Sequence, residues 1–320
     1  MTRITLSLAC TLSDRTRPVL DGRVSVPGVD FLALPGEPED IFRRALRDKA
    51  FEVSELSMGS HIVTTARGDS PYVGVPVFLS RAFRHSAVYI RTDRGIRGAA
   101  DLAGRTIGLP EYQQTAALWV RGFLRDHYGV DTKSIAWRTG GERVAITLPE
   151  GFDVKPLGEN LEVALAEGRI DALIGPRPPA CFLGRSAPVD RLWPDYASEE
   201  KAWFKASRFF PIMHCLAVRK DVAERHPWLP VELFRAFARA RALSLAELSM
   251  VNVLRVSLPW IAAAAEEQAT LMGGDPWPYG FARNRDEIAA MIRYAVADGL
   301  AARVIAPEDL FHPSVLAEIA

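Results

Sequence analysis

Two histidines and one glutamate offer proton-transfer chemistry in this chain. His85 stands in FRHSAVYIR, His214 in MHCLAVRK and Glu55 between two serines in VSELS. An imidazole changes charge near neutrality, and a carboxylate can accept a proton or orient an imidazole, so the three make a candidate acid–base set. Taken singly, each has a plainer reading as a satisfied core histidine or a capping or salt-bridging glutamate. A second group suits anions. In GLPEYQQTAALWVRG, residues 108–122, a turn holding Glu111, Gln113, Gln114 and Thr115 leads into a helix. A helix N-terminus offers unpaired N–H groups and partial positive charge, so amides and a hydroxyl placed there can cradle a carboxylate. The acid Glu111 would repel that carboxylate and is assigned to a place behind the cradle, orienting its neighbours. Arg84, Arg15 and Arg17 are the candidate guanidinium clamps. A capped helix with a polar turn is the alternative reading of the stretch.

Other chemistries lack their patterns. The six histidines form no H-x-H or H-E-x-x-H pair, which leaves a divalent metal held across the fold by Glu55, His85 and His214 as the alternative to metal-free chemistry. No G-x-S-x-G elbow, phosphate-binding P-loop or dinucleotide fingerprint occurs.

The elements that would position these residues alternate. Residues 4–10 read as a strand, PEDIFRRALRDKAF as a helix opened by Pro38, and FEVSELSMGSHIVTTAR as a strand running into a helix. YVGVPVFLSRAFRHSAVYIR supplies two β-rich runs, and DLAGRTIGL places a turn before the strand that feeds the amide-rich turn. In the following helix Ala117, Val120, Leu124 and Tyr128 predict one buried stripe, closed by Gly129. LEVALAEGRIDALIGP gives a helix, a stop at Gly168 and a strand, and from about residue 218 the pattern turns helical. Presumed strands at about 86–91 and 212–218 flank the middle third, so the chain is expected to cross twice between two lobes. Residues 1–88 with 216–320 form lobe 1 in this reading, and residues 89–215 form lobe 2. The expected fold class is therefore α/β, two-lobed, with a helical C-terminal part and a ligand cleft between the lobes.

Composition narrows the partners. With 39 basic and 39 acidic side chains and no long single-sign block, a nucleic acid is disfavoured and a small ligand fits better. Three separated cysteines, Cys10, Cys181 and Cys215, form no disulfide framework, which points to a reducing cytoplasm. MTRITLSLAC looks superficially like a lipoprotein leader, but Thr5 and Ser7 interrupt its apolar run, so it is read as a first strand. No apolar run is long enough to cross a bilayer, so no membrane partner is expected and the protein is expected to be soluble as written. Homo-oligomerisation remains open at this point.

Several stretches together resemble the 4,5-dihydroxyphthalate decarboxylase family: DRTRPVLDGRV, VSELSMGS, RHSAVYIR, GLPEYQQTAALWVRG, MHCLAVRK and DPWPYG. They span most of the chain, and PEYQQTAALWVRG is the most specific. The resemblance implies a type II periplasmic-binding-protein-like fold in a cytoplasmic enzyme. It further implies release of CO2 from a hydroxylated aromatic acid, in the namesake reaction giving protocatechuate, with no organic cofactor. Under it, His85 becomes the proton donor to the ring and His214 the phenol base, or the reverse. Glu55 then accepts a phenolic proton or orients a histidine. Gln113, Gln114 and Thr115 share a small aromatic dicarboxylate with the arginines, while Trp277 and Tyr279 in DPWPYG wall its ring or simply pack a proline-rich turn. One departure stands before Asp-Arg-Thr, where Ser13 occupies a position expected to be aromatic. A solute receptor or sensor that only binds an aromatic acid is the rival reading, because one cleft serves both.

Overall fold

The computed structural model describes residues 3–142 and 144–319. Apolar runs near the N-terminus form β1 (Ile4–Cys10), β2 (Val29–Pro35), β3 (Val53–Ser57) and β4 (Tyr72–Arg81). Between them lie α1 (Arg17–Leu20), α2 (Pro38–Asp48) and α3 (Met58–Arg67). Pro38 opens α2 at a position where its missing N–H is no loss, and Glu39 and Asp40 complement the helix dipole behind it. Ser57 ends β3 and caps α3 in one residue, its hydroxyl accepting from the Ser60 N–H.

The middle of the chain builds a second sheet from β5 (Val88–Arg91), β6 (Thr106–Leu109), β7 (Ala136–Thr139), β8 (Val154–Pro156), β9 (Ala172–Ile174) and β10 (Val189–Arg191). Its order is β10-β5-β9-β6-β7-β8. The helices of this unit are α4 (Thr115–Asp126), α5 (Leu161–Glu167), α6 (Ala180–Leu183) and α7 (Tyr196–Ser207). As the sequence predicts, α5 stops at Gly168, whose φ of 79° is the left-handed conformation that favours glycine.

The chain then returns. Strand β11 (Ile212–Arg219) inserts antiparallel between β3 and β4, giving the first sheet the order β2-β1-β3-β11-β4. Four helices follow: α8 (Lys220–Arg225), α9 (Leu229–Leu248), α10 (Ile261–Met272) and α11 (Phe281–Ala297). All of β11 pairs in the first sheet, so the boundary expected at 215/216 falls inside a strand. The crossings themselves are the irregular segments on either side, near 82–87 and 208–211.

Helix α4 differs from its expected single stripe. Every residue from Thr115 to Leu124 is buried, and Tyr128 lies beyond the helix end. The reason is packing on two sides, since α4 follows β6 of the second sheet and also meets α3 and α11 of the other half. Arg121 is fully buried, its Nε 2.7 Å from Asp298 at the end of α11 and its Nη2 donating to the Tyr112 carbonyl at 2.7 Å. Gly122 lies so close to Tyr294 that a Cβ there would stand 2.3 Å from the ring. A second brace joins the crossings: Glu287 of α11 accepts the Ile212 N–H at 2.7 Å and faces Arg81 at 3.2 Å, while Arg81 donates to the Phe210 carbonyl at 2.6 Å.

Candidate active site

The register of the first sheet brings the acid–base pair together. His214 of β11 stands opposite Ser57 of β3 and Ser80 of β4, and Glu55 lies two residues before Ser57 on the same strand face. Pairing with β4 is irregular on both sides of His214, a local distortion of the kind that re-aims a side chain next to a site. The result is a 2.6 Å hydrogen bond from His214 Nδ1 to Glu55 Oε1. Oε2 accepts the Thr11 N–H at 2.7 Å and the Thr11 hydroxyl at 2.5 Å. Glu55 is fully buried. Burial alone would raise its carboxyl, but the bond and charge of His214, with the Thr11 bonds, outweigh it and hold the group below the ordinary carboxylate value. An ionised carboxylate can only accept, so Nδ1 carries the hydrogen and Nε2 is left with a lone pair or a transferable proton. The ring packs edge-on against Phe42 at 4.7 Å, and His214 lines a cleft of about 260 Å³.

The same cleft gathers helix N-termini and arginines, together with the carboxylates of Glu37, Glu39 and Glu111. Three helices begin at its wall: α2 through Glu37 and Pro38, α3 through Ser57 and Ser60, and α4 through Gln114 and Thr115. Their N-termini concentrate partial positive charge in a small volume. Thr115 ties two of them, its hydroxyl 2.8 Å from that of Ser57 and accepting the Gly59 N–H at 2.9 Å. This approach requires Gly59, since a Cβ would fall 2.3 Å from the Gln113 carbonyl oxygen. Arg84 enters from the first crossing, its Nε on the Met213 sulfur at 3.3 Å. Burial lowers its guanidinium to about 10, with Glu200 acting in the opposite sense, so it is still a cation at neutral pH. Gln114 lines the cleft with a buried side-chain oxygen that no hydrogen bond satisfies, the kind of group a ligand completes.

The remaining expected residues separate. His85 does not face this cleft: its ring stacks on Phe123 at 4.3 Å with Trp193, Trp203 and Tyr128 around it, and neither nitrogen has a partner. Burial, with His127 adding to it, lowers it to about 4, so the ring is neutral and behaves as an aromatic filler. The turn at 82–87 points it inward while presenting its neighbour Arg84 to the cleft. A metal site of Glu55, His85 and His214 is therefore not assembled, and among the described residues no three His, Cys, Asp or Glu side chains gather to hold an ion.

Arg15 stacks on Trp277 at 3.9 Å and bonds Asp14 and the Leu79 carbonyl. Tyr279 is fully buried under Arg241, and Arg17 is exposed; none of these four lines the cleft. Arg15, Trp277 and Tyr279 form a supporting layer, and in the neighbouring loop Thr16 donates to the Thr11 carbonyl at 2.7 Å and so steadies the segment that grips Glu55. Ser13 lies in the same loop, bonded to Thr16, and does not line the cleft. Gln113 is buried and donates to Glu111 at 3.2 Å; Glu111 itself lines the cleft beside Gln114.

Sequence reasoning missed Arg43 and Arg177, which line the cleft and already pair with Asp40 and with Glu37 and Glu39. Pro38 was the available signal, because a helix opening there places its N-terminus at the C-terminal end of β2. It also missed Thr11, Phe42 and Met213, which only tertiary contacts bring to the pair.

No family model matches the chain. A 4,5-dihydroxyphthalate decarboxylase of Comamonas testosteroni is 44% identical over 325 aligned residues, covering 99% of this chain and 98% of the relative. The chain belongs to the 4,5-dihydroxyphthalate decarboxylase family. A second member, from Pseudomonas putida, is 44% identical over 215 residues, 64% of this chain and 83% of its own length. Among solved structures, the alkanesulfonate-binding protein SsuA from Xanthomonas axonopodis pv. citri, bound to MOPS, superposes with a TM-score of 0.55 at 15% identity, covering 98% of this chain and 99% of that one. The periplasmic aliphatic sulphonate binding protein SsuA of Escherichia coli gives 0.55 at 12% identity, covering 99% and 100%. These two establish the two-lobed binding-protein fold for this member of the decarboxylase family.

Proposed function

We propose that this protein removes one carboxylate of 4,5-dihydroxyphthalate as CO2 and yields protocatechuate. The buried Glu55–His214 pair, presenting Nε2 to a cleft shared with Arg84 and three helix N-termini, carries the reading. In this ring each carboxylate stands para to a hydroxyl, which feeds electrons toward the carbon that loses CO2. His214 as imidazolium gives its Nε2 proton to that carbon, and a ring π pair becomes the new C–H bond. The bond to the carboxylate then breaks, its electron pair restores the aromatic ring, CO2 leaves, and water reprotonates the imidazole. One solvent proton is consumed per turnover. Glu55 holds the ring in one tautomer and balances the imidazolium charge, a positioning role like that of the acid in a catalytic triad. Arg84 and the helix N-termini bind the retained carboxylate.

The hydroxylated ring is its own electron sink, so the scheme uses no organic cofactor and routes no step through a metal. No helix among the described residues is long and apolar enough to cross a membrane. The three cysteines are free and buried, which suits a cytoplasmic setting.

The test incubates the purified protein, treated with a chelator, with 4,5-dihydroxyphthalate. Equal amounts of CO2 and protocatechuate are expected. Activity that vanishes with the chelator and returns with a divalent metal replaces the metal-free mechanism. Saturable binding without turnover, on this compound and on hydroxylated analogues with metal restored, overturns the decarboxylase reading in favour of a receptor.

A further inference from the structure

The proposed substrate has two unlike edges. Two neighbouring carboxylates only accept hydrogen bonds, and on the opposite side of the ring two neighbouring hydroxyls can donate them. A matching site offers donors at one end and acceptors at the other. The cleft is graded in this sense. Arg84 and His214 border the cleft of about 260 Å³ but not the wider chamber of about 800 Å³ that continues from it toward Gly140 and Glu142. Glu111 and Gln114 border both. The cationic groups and the Glu111 turn therefore stand at different ends of one space.

Two acceptors sit together at the second end. Glu111 and Gln114 close one tight turn, the Gln114 N–H donating to the Glu111 carbonyl at 3.2 Å, which brings their Cα atoms within about 7 Å of each other. Glu111 is buried, and the fully buried Gln113 fixes its carboxyl by donating to Oε2 at 3.2 Å. A carboxylate offers about four acceptor sites, more than one such bond consumes. The side-chain oxygen of Gln114 is buried without a hydrogen bond, and what it calls for is a donor. An amide oxygen repels a carboxylate, so this atom does not suit the acid edge that the sequence reading gave it. The other two carboxylates on the wall, Glu37 and Glu39, are engaged by Arg177.

We infer that Glu111 and Gln114 receive the two ring hydroxyls, and so select a dihydroxylated aromatic acid over one that lacks them. The assignment rests on the decarboxylase reading of the same cleft. An acid without the hydroxyls leaves two buried acceptors with no donor, the arrangement by which a site rejects an analogue most strongly. Glu111 also serves the reaction. The proton that reaches the ring from His214 brings positive charge, which spreads to the carbon bearing the para hydroxyl, so the hydrogen bond from that hydroxyl to Glu111 strengthens as the transition state forms. Gln114, a neutral acceptor, acts mainly on binding.

The experiment measures binding of protocatechuate, which has the adjacent hydroxyls, and of benzoate, which lacks them, by calorimetry on the full wild-type chain and on Glu111→Leu and Gln114→Met. Circular dichroism checks folding, and CO2 release from 4,5-dihydroxyphthalate is followed in parallel. Wild-type protein is expected to prefer protocatechuate by about 100-fold or more. Each variant should cut that preference by about 10-fold, through weaker protocatechuate binding at nearly constant benzoate binding, and Glu111→Leu should also lower kcat by about 10-fold. Gln114→Met carries the test alone if Glu111→Leu does not fold. Equal binding of the two acids by wild type overturns the inference, as does an unchanged preference in folded variants or an equal loss for both acids, which marks a structural role. A wild type that releases no CO2, yet shows the preference and loses it in the variants, overturns the decarboxylase reading and leaves the hydroxyl contacts standing. Normal CO2 release with the preference intact in both variants does the reverse.

Discussion

Nδ1 of His214 and Oε1 of Glu55 lie 2.6 Å apart, while the other oxygen of the same carboxylate is held by Thr11. Both oxygens are thus committed to fixing one imidazole whose second nitrogen meets the cleft. His214→Asn keeps a polar side chain but removes the proton carrier, and should lower kcat by about 10²- to 10⁴-fold. Binding of protocatechuate, followed by calorimetry, should change by no more than a few-fold. Turnover near the wild-type level would remove His214 from the mechanism.

Glu55 also gives the fold an acid sensitivity. Its carboxyl lies below the ordinary value of 4.5 because His214 and Thr11 outweigh the effect of burial. A depressed carboxyl contributes stability above its unfolded value and loses it as pH falls through its folded one. Urea midpoints of Glu55→Gln should therefore fall less steeply than those of wild type below about pH 4.5. Parallel curves would show that the pair is not ionised in the native protein.

His85 supplies the opposite control. Its ring is lowered to about 4 from 6.5, chiefly by burial. The unfolded chain binds a proton across that window while the folded one does not, so stability drops as pH falls through it, by on the order of 3 kcal/mol in full. His85→Phe should flatten this dependence, read as the change in Tm between about pH 7 and pH 5, and should leave kcat/KM within a few-fold. Loss of turnover in a well-folded variant would restore His85 as the proton donor.

Among the arginines, position rather than type decides the outcome. Arg84→Gln removes a charged contact from the cleft and should raise KM about 10- to 100-fold, the equivalent of ~1.5–3 kcal/mol. Arg15→Gln, at the Trp277 stack, should act on Tm with little effect on KM. Equal effects on KM would place the substrate carboxylate against the supporting layer.

Much of the fold was legible because it is local. The strand at Ile4–Cys10, the Pro38 start of α2 and the Gly168 stop of α5 each follow from a few adjacent residues. Four of the segments that carry the family resemblance meet at one cleft, but the resemblance could not orient their side chains. RHSAVYIR holds both Arg84 and His85, and one turn sends the first to the cleft and the second into an aromatic cluster. Likewise DPWPYG braces the site from behind, because Arg15 and Arg241 cover its aromatic faces. Which side a residue faces in an irregular segment depends on contacts far along the chain, and no spacing records them.

The close approach at Gly122 is testable on its own. A methyl group there would meet the Tyr294 ring at 2.3 Å, and α4 is buried on all sides with no direction in which to yield. Gly122→Ala should lower stability by about 1–3 kcal/mol as overpacking, despite alanine's better helix propensity. A raised Tm would show that the Tyr294 ring yields to the added methyl group.

Because α4 is rooted in one sheet and locked to α11 by the buried Arg121–Asp298 pair, the two halves have no free seam along that side. Parting them would strand a guanidinium and a carboxylate in an apolar interior. Any movement of one half against the other therefore has to pivot about α4 and α11 and leave this pair intact.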